Sequence, residues 1–472
     1  MVPLPKAAPG KRVALAIDRS RTADDARRTL SARGLSCETV DDDDDTNAVV
    51  ALASPSPLSA ADAQRLAPRC ERAARAGHPV VILCAPPGPR GHADDHAAAR
   101  AFLRAAGAIL CDDPDVWIET LVLLACHGLP AGPRVAVVAP EGSLLSSAAV
   151  AIERETIGAR MPSVARDASA LGPTDVALVD RDVVPDGDRT TSALVVPVVQ
   201  RGELAAGDGR APLVGLRAAL AAATAAGELA QRLAAGLGPA STDDARLLKP
   251  ERDRFRRQLD KLDDRAGDHE AKVLLASFGV PVTRQAVATT ASAAARIAKK
   301  AGYPVEIKPW DPDASSERDG CPVERDLTTA ADVRRAFAAV GRDAGLAAGA
   351  PVIVRAAPGR GRELSVRFGR VADLGPMVFV DVDGATKPRA ARAPLRRSDA
   401  LELAHAVEAT RAGDPEPDHD ALADLLVRAS HLAAGEADVD TLELGRVIVF
   451  GKGDGAVVAD ARAALRPATE RD

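Results

Sequence analysis

Aromatic side chains are almost missing from this chain: seven Phe, two Trp and one Tyr occur in 472 residues. Its cores must therefore be built from Ala, Val and Leu, which give less buried area per residue and force helices to pack closely. Cysteine is sparse as well. Cys37, Cys70, Cys84, Cys111, Cys126 and Cys321 form no C-x-x-C pair and no zinc-type spacing, so buried reduced thiols are expected. No basic excess exists: the net charge of −6 and the scattered Lys and Arg exclude an electrostatic footprint for nucleic acid. Long apolar runs are also lacking. A stretch such as ALVVPVV at 193–199 is far short of a membrane span, so no membrane partner is expected. The start MVPLPKAAPGKR runs into a charged segment, not an apolar signal core, and a cytoplasmic location is expected.

What is present is an alternation. A chain this long is expected to form two to four domains. RVALAI at 12–17 reads as a buried strand, 22–34 as a helix, and 48–53 as a second strand after the acidic run Asp41–Asp45, a solvated loop. Helix 59–76, strand 79–84 and helix 94–106 follow. The pattern restarts at RVAVVA (134–139), with helix 144–157, strands 175–179 and 193–199, and an Ala-rich helix at 213–236. Fully apolar strands alternating with helices indicate parallel sheets covered on both faces. From about 240 to 265 the chain is dense in both charges and reads as a linker, part helix. A third unit opens near 268 with helix 269–278, strand 281–287, helix 290–301 and strand 304–308.

That third unit carries the chemistry-bearing residues. Lys308 lies on the strand GYPVEIK, where a buried ammonium needs a counter-charge. An ion pair with Glu306 or Asp311 would supply one. PGRGRE at 358–363 is a tight hairpin in which Gly359 and Gly361 permit positive φ and close backbone approach, and Arg360 and Arg362 suit phosphate. Asp460 ends the late strand GAVVAD. GKGDG at 451–455 resembles a phosphate loop by composition only and reads as a hairpin. His405, His419 and His431 have no metal-ligand spacing.

The residues 269–308, HEAKVLLASFGVPVTRQAVATTASAAARIAKKAGYPVEIK, closely resemble the start of the ATP-grasp domain of NDP-forming acyl-CoA synthetases. That family includes ADP-forming acetate–CoA ligases and, more distantly, succinyl-CoA ligase β subunits. The resemblance runs on through PVIVRAAPGRGREL to VADARAAL, covering nearly all of 268–467. It implies an α/β protein with two flavodoxin-like parallel-sheet subdomains, 1–130 and 131–240, a charged linker 241–266 and an ATP-grasp domain 267–472. The junction HAAARAFLRAAGAILCDDPDVWIETLVLLA, followed by GPRVAVVAP, resembles the join between the family's two flavodoxin-like subdomains. The family's Rossmann-like CoA-binding domain has no counterpart here, so the expectation is that CoA needs a partner subunit or is not bound.

By the same resemblance, ATP or ADP would meet Lys308, Arg355, Gly359, Gly361 and Glu363, with Mg2+ held by Asp460 and by Glu443 as a substitute ligand. His92 would be the phosphohistidine if the loop before helix 94–106 is about five residues short; without that gap Gly88 takes the place. Departures accumulate elsewhere. Gly445 and Arg446 replace the metal motif's Asn and Pro, Val354 and Arg355 replace an adenine-facing Gln-Glu pair, and Ser316 replaces a second His. VDVDG at 380–384 replaces the glycine turn F-G-x-G-G. Three functions stay open: an ADP-forming acyl-CoA (acetate–CoA) ligase taking nucleotide and a carboxylic acid or acyl-CoA, a degenerate relative with a scaffold or regulatory role, or a small-molecule ligase with altered chemistry that needs no phosphohistidine. A homodimer is expected by resemblance.

Overall fold

A computed structural model describes residues 11–16, 21–40, 48–54, 56–85, 93–155, 163–165, 173–180, 193–200, 211–241, 250–311, 320–347, 349–382, 389–405, 407 and 415–471. The chain divides into two compact units, Met1–Gly238 and Pro239–Asp472.

The first unit holds two five-stranded parallel sheets. One is built from β1 (Arg12–Leu15), β2 (Ser36–Thr39), β3 (Val49–Ser54), β4 (Val80–Cys84) and β5 (Ile109–Cys111), in the order β2-β1-β3-β4-β5. The other takes β6 (Val135–Val138), β7 (Ser163–Ala165), β8 (Val176–Asp180), β9 (Leu194–Val199) and β10 (Leu213–Val214), in the order β10-β9-β8-β6-β7. Both orders are the flavodoxin-like 2-1-3-4-5, the second written in reverse. All pairings are parallel, as the uninterrupted apolar strands require.

Helices α1 (Arg21–Ala32), α2 (Ala60–Arg75), α3 (Ala93–Ala105), α4 (Pro114–Val122) and α5 (Leu144–Glu155) lie between these strands, and α6 (Leu216–Ala235) follows β10. Their starts follow local chemistry. Ser59 and Asp62 close a capping box on α2, and Asp113 caps α4 with Pro114 in its first turn. The poverty in aromatics shows in α6, which buries Ala219, Ala222, Ala223, Ala226 and Gly227. A Cβ at Gly227 would stand 2.5 Å from Gly132 O and Pro133 Cα, so only glycine permits this approach. The lone large aromatic of this core, Trp117, is buried and donates its indole N–H to Val81 O at 3.1 Å.

The second unit starts with α7 (Arg252–Leu259), β11 (Arg265–Ala266), α8 (Asp268–Ser277), β12 (Gln285–Ala288), α9 (Ala291–Ala301), β13 (Val305–Pro309), β14 (Glu324–Leu327), α10 (Ala330–Asp343) and β15 (Val352–Ala356). It continues with β16 (Arg362–Val371), β17 (Gly375–Val382), β18 (Arg389–Arg392), α11 (Arg397–Ala404), α12 (His419–Gly435), β19 (Val439–Val449) and β20 (Ala456–Leu465). A small antiparallel sheet, β12-β15-β13-β14, packs on α9 and α10. A large one, β11-β20-β19-β16-β17-β18, packs on α8, α11 and α12.

Part of the segment expected as a charged linker belongs to this core. On α7, Phe255 and Leu259 are four residues apart and fully buried, and Phe255 meets Phe278 edge-on at 5.4 Å. Burying each side chain contributes about 1.5–3 kcal/mol, enough to dock a helix whose other faces are charged. The strand expected at 281–287 is also divided. Residues 281–283 pair with β20 of the large sheet, Thr283 N donating to Val458 O and Val458 N to Pro281 O, before the chain enters β12 of the small sheet. The backbone therefore ties the two sheets directly beside the site described next.

Candidate functional site

Period-two alternation on β13 sorts its side chains. Val305 and Ile307 enter the apolar core against α9 and α10, so Glu306 and Lys308 face the other way. On β15, Val352 and Val354 do the same, leaving Ile353 and Arg355 on the second face. Antiparallel register places Glu306 opposite Arg355 and Lys308 opposite Ile353. Toward this face come Ala459 and Asp460 of β20 and the first turn of α8.

Six buried ionisable groups meet here. Lys308 Nζ donates to Asp460 Oδ1 at 2.5 Å and lies 3.3 Å from Asp268 Oδ2. Lys272 Nζ reaches Asp268, Thr283 Oγ1, Gln285 Oε1 and Ala459 O at 2.6–3.1 Å. Arg355 donates to Glu306 through Nε at 2.7 Å and through a second nitrogen, and to Ala459 O. Three acids (Asp268, Glu306, Asp460) and three bases (Lys272, Lys308, Arg355) are each under 10% exposed, Glu270 is a further buried acid beside them, and Arg446 and Arg325 stand 3.7 Å from Glu306. Burial alone would raise the Asp268 carboxyl, but Lys272, Lys308 and Arg355 outweigh it and hold Asp268 below the usual range. Burial pushes the Lys272 ammonium down to about 8, against the opposing pull of Asp268.

Lys308, Asp460, Asp268, Trp310, Cys321 and Arg462 are among the residues lining a small recess, a cavity of about 20 Å³. Trp310 is anchored there by its indole N–H, which donates to Glu270 Oε1 at 2.8 Å.

The site residues expected from sequence divide accordingly. Lys308 and Asp460 are brought together. Glu306, offered as a partner for Lys308, is instead engaged by Arg355, because the strand register sets those two side by side. Arg355 is fully buried in that pairing rather than lining the recess. Gly359 and Gly361 do not adopt positive φ. Gly361 serves close approach to β19: a Cβ there would meet Val449 O at 2.5 Å. Glu363 accepts from Arg446 Nη2 at 2.6 Å. Arg446, at the family's Pro position, also stands 3.7 Å from Glu306. Gly445 lies in a register shift between Glu443 and Arg446, a bulge in which two residues face one. His92, Gly88, Ser316 and the acidic run Asp41–Asp45 fall outside the described residues, as do Asp383 and Gly384. The GKGDG hairpin has its amides in use, since Asp418 Oδ2 accepts from Gly453 N and Gly455 N.

Magnesium, which the fold family implies, would require Asp460 and Glu443. Asp460 is committed to Lys308, and Glu443 accepts from Arg462 Nε at 2.5 Å. The donor set in this arrangement does not fit the ion.

Comparison with known proteins places this architecture. A family model for the ATP-grasp domain matches residues 257–465. This stretch is an ATP-grasp domain. It is homologous to the beta subunits of ADP-forming acetate–CoA ligases. The subunit beta of acetate–CoA ligase II from Pyrococcus furiosus is 26% identical over 216 residues, 42% of this chain and 91% of the relative. That of ligase I from the same organism is 28% identical over 213 residues, 42% and 90%. A solved Ca. Korarchaeum cryptofilum acetyl-coenzyme A synthetase 1, in complex with coenzyme A and Ca-AMPCP, is 24% identical. It covers 46% of this chain and 100% of its own, with a TM-score of 0.41.

Asp268 and Lys272 of the ATP-grasp domain were not expected as site residues. Lys272 lies on α8, within the stretch 269–308 that carries the family resemblance. A lysine inside the apolar run AKVLLAS was the available signal: a charge there must find partners. Among the described residues no helix is long and apolar enough to cross a membrane.

Proposed function

We propose that this protein is a degenerate relative of the ADP-forming acyl-CoA ligases. It keeps the ATP-grasp frame as a binding or scaffold module without magnesium-dependent phosphoryl transfer. One observation carries the reading: the acid that would hold magnesium and the lysine that would hold phosphate are spent on each other, inside a buried cluster of ion pairs. Seating a divalent ion on Asp460 would require Lys308 to give up that carboxylate. Arg446 in place of the proline, tied to Glu363, adds a further fixed cation where the family motif has none.

A second reading, an active ligase completed by a CoA-binding partner subunit, is favoured by a different fact. Lys308 and Asp460 line one and the same recess. Thermal unfolding with millimolar ATP, with and without magnesium, separates the two, together with a turnover assay containing acetate, CoA and ATP. The first reading expects no release of ADP or phosphate and no added stabilisation from magnesium. Turnover, or a magnesium-dependent rise in melting temperature, would establish the second.

A further inference from the structure

We infer that the Asp460 carboxylate occupies, within the chain itself, the position that an anionic ligand's oxygen would take on Lys308, so that the site is self-blocked. The inference rests on the reading that this recess is where the fold would seat a nucleotide's phosphates. Three observations support it. The Lys308 ammonium is met by two carboxylates, Asp460 at 2.5 Å and Asp268 at 3.3 Å, the geometry of an ammonium grasping an anion. Both carboxylates come from the side opposite the small sheet: Asp460 from β20, Asp268 from the first turn of α8. The anion thus arrives from across the interface between the sheets, as a ligand held between them would. Finally, the wall of the recess is furnished for a ligand: Trp310 is pinned beside it by Glu270, and Arg462 lines it.

The consequence has a sign opposite to that of a metal ligand. Asp460 is the nearer of the two carboxylates on Lys308, at 2.5 Å against 3.3 Å for Asp268. Neutralising Asp460 removes the nearer negative charge from the Lys308 ammonium, and an anion of the phosphate class can replace it at the same atom. Loss of this acid should therefore create anion affinity, whereas an acid that serves as a magnesium ligand would, when removed, weaken nucleotide binding.

The test uses the full chain and inorganic tripolyphosphate in EDTA at fixed ionic strength, read by titration calorimetry and by melting temperature. Asp460→Asn is expected to bind tripolyphosphate about tenfold tighter than the wild type, the scale of one hydrogen bond to a charged group. Its melting temperature should rise on adding the anion more than that of the wild type does. The double variant Lys308→Met/Asp460→Asn should lose the gain. If Asp460→Asn does not fold, Asp460→Ser carries the same comparison. Wild type binding as tightly as the single variant, or more tightly, overturns the self-block and leaves the phosphate location standing. An absence of binding to either protein overturns both.

Discussion

Arg355→Leu is expected to destabilise the C-terminal unit by about 3–5 kcal/mol, because removing one partner leaves a buried charge behind. For a unit of this size that is a fall of roughly 6–20 °C in melting temperature. Arg355 is 1% exposed and satisfies Glu306 twice, along with Ala459 O. Without it, the ion pairs of Glu306 among the described residues are with Arg446 and Arg325, each 3.7 Å away. The double variant Glu306→Leu/Arg355→Leu should recover most of the loss, since well-packed apolar pairs commonly replace buried ion pairs at little cost. Urea unfolding of the four proteins gives the coupling. A single variant within about 1 kcal/mol of wild type would show that the pair is not buried as described.

Lys272→Met should be as damaging, by about 3 kcal/mol or more, since four acceptors lose one ammonium and each unsatisfied buried group costs about 1–3 kcal/mol. It also carries a pH signature. Burial lowers the folded pKa of Lys272 to about 8, while the unfolded value is about 10.4. Between those values the unfolded chain holds a proton that the folded chain has shed, so stability from this group rises with pH. Below pH 8 that contribution is lost. The gap between wild type and Lys272→Met should therefore widen from pH 7.5 to 9.5 in urea unfolding. A constant gap would mean the lysine titrates alike in both states.

How far the site was legible depended on whether its partners were local. Strand 304–308 was readable from GYPVEIK, and Lys308 on it, because alternation is a property of adjacent residues. The assignment of Glu306 to Arg355 was not, because it is set by the pairing of two strands nearly fifty positions apart. Asp268 escaped for the same reason: its role appears only when α8 meets β13 and β20. The parallel sheets of the first unit were legible because both of their faces are apolar. The charged stretch misled where composition outweighed spacing: Phe255 and Leu259 are two apolar residues on a helix otherwise full of arginine and aspartate, and those two set its place.

The most direct test of the central claim is a crystal structure of the protein grown with millimolar ATP and magnesium. Lys308 Nζ should remain at ion-pair distance from Asp460, with no metal between that carboxylate and a phosphate. A magnesium ion bound by Asp460, with Lys308 turned onto the phosphates, would contradict the account.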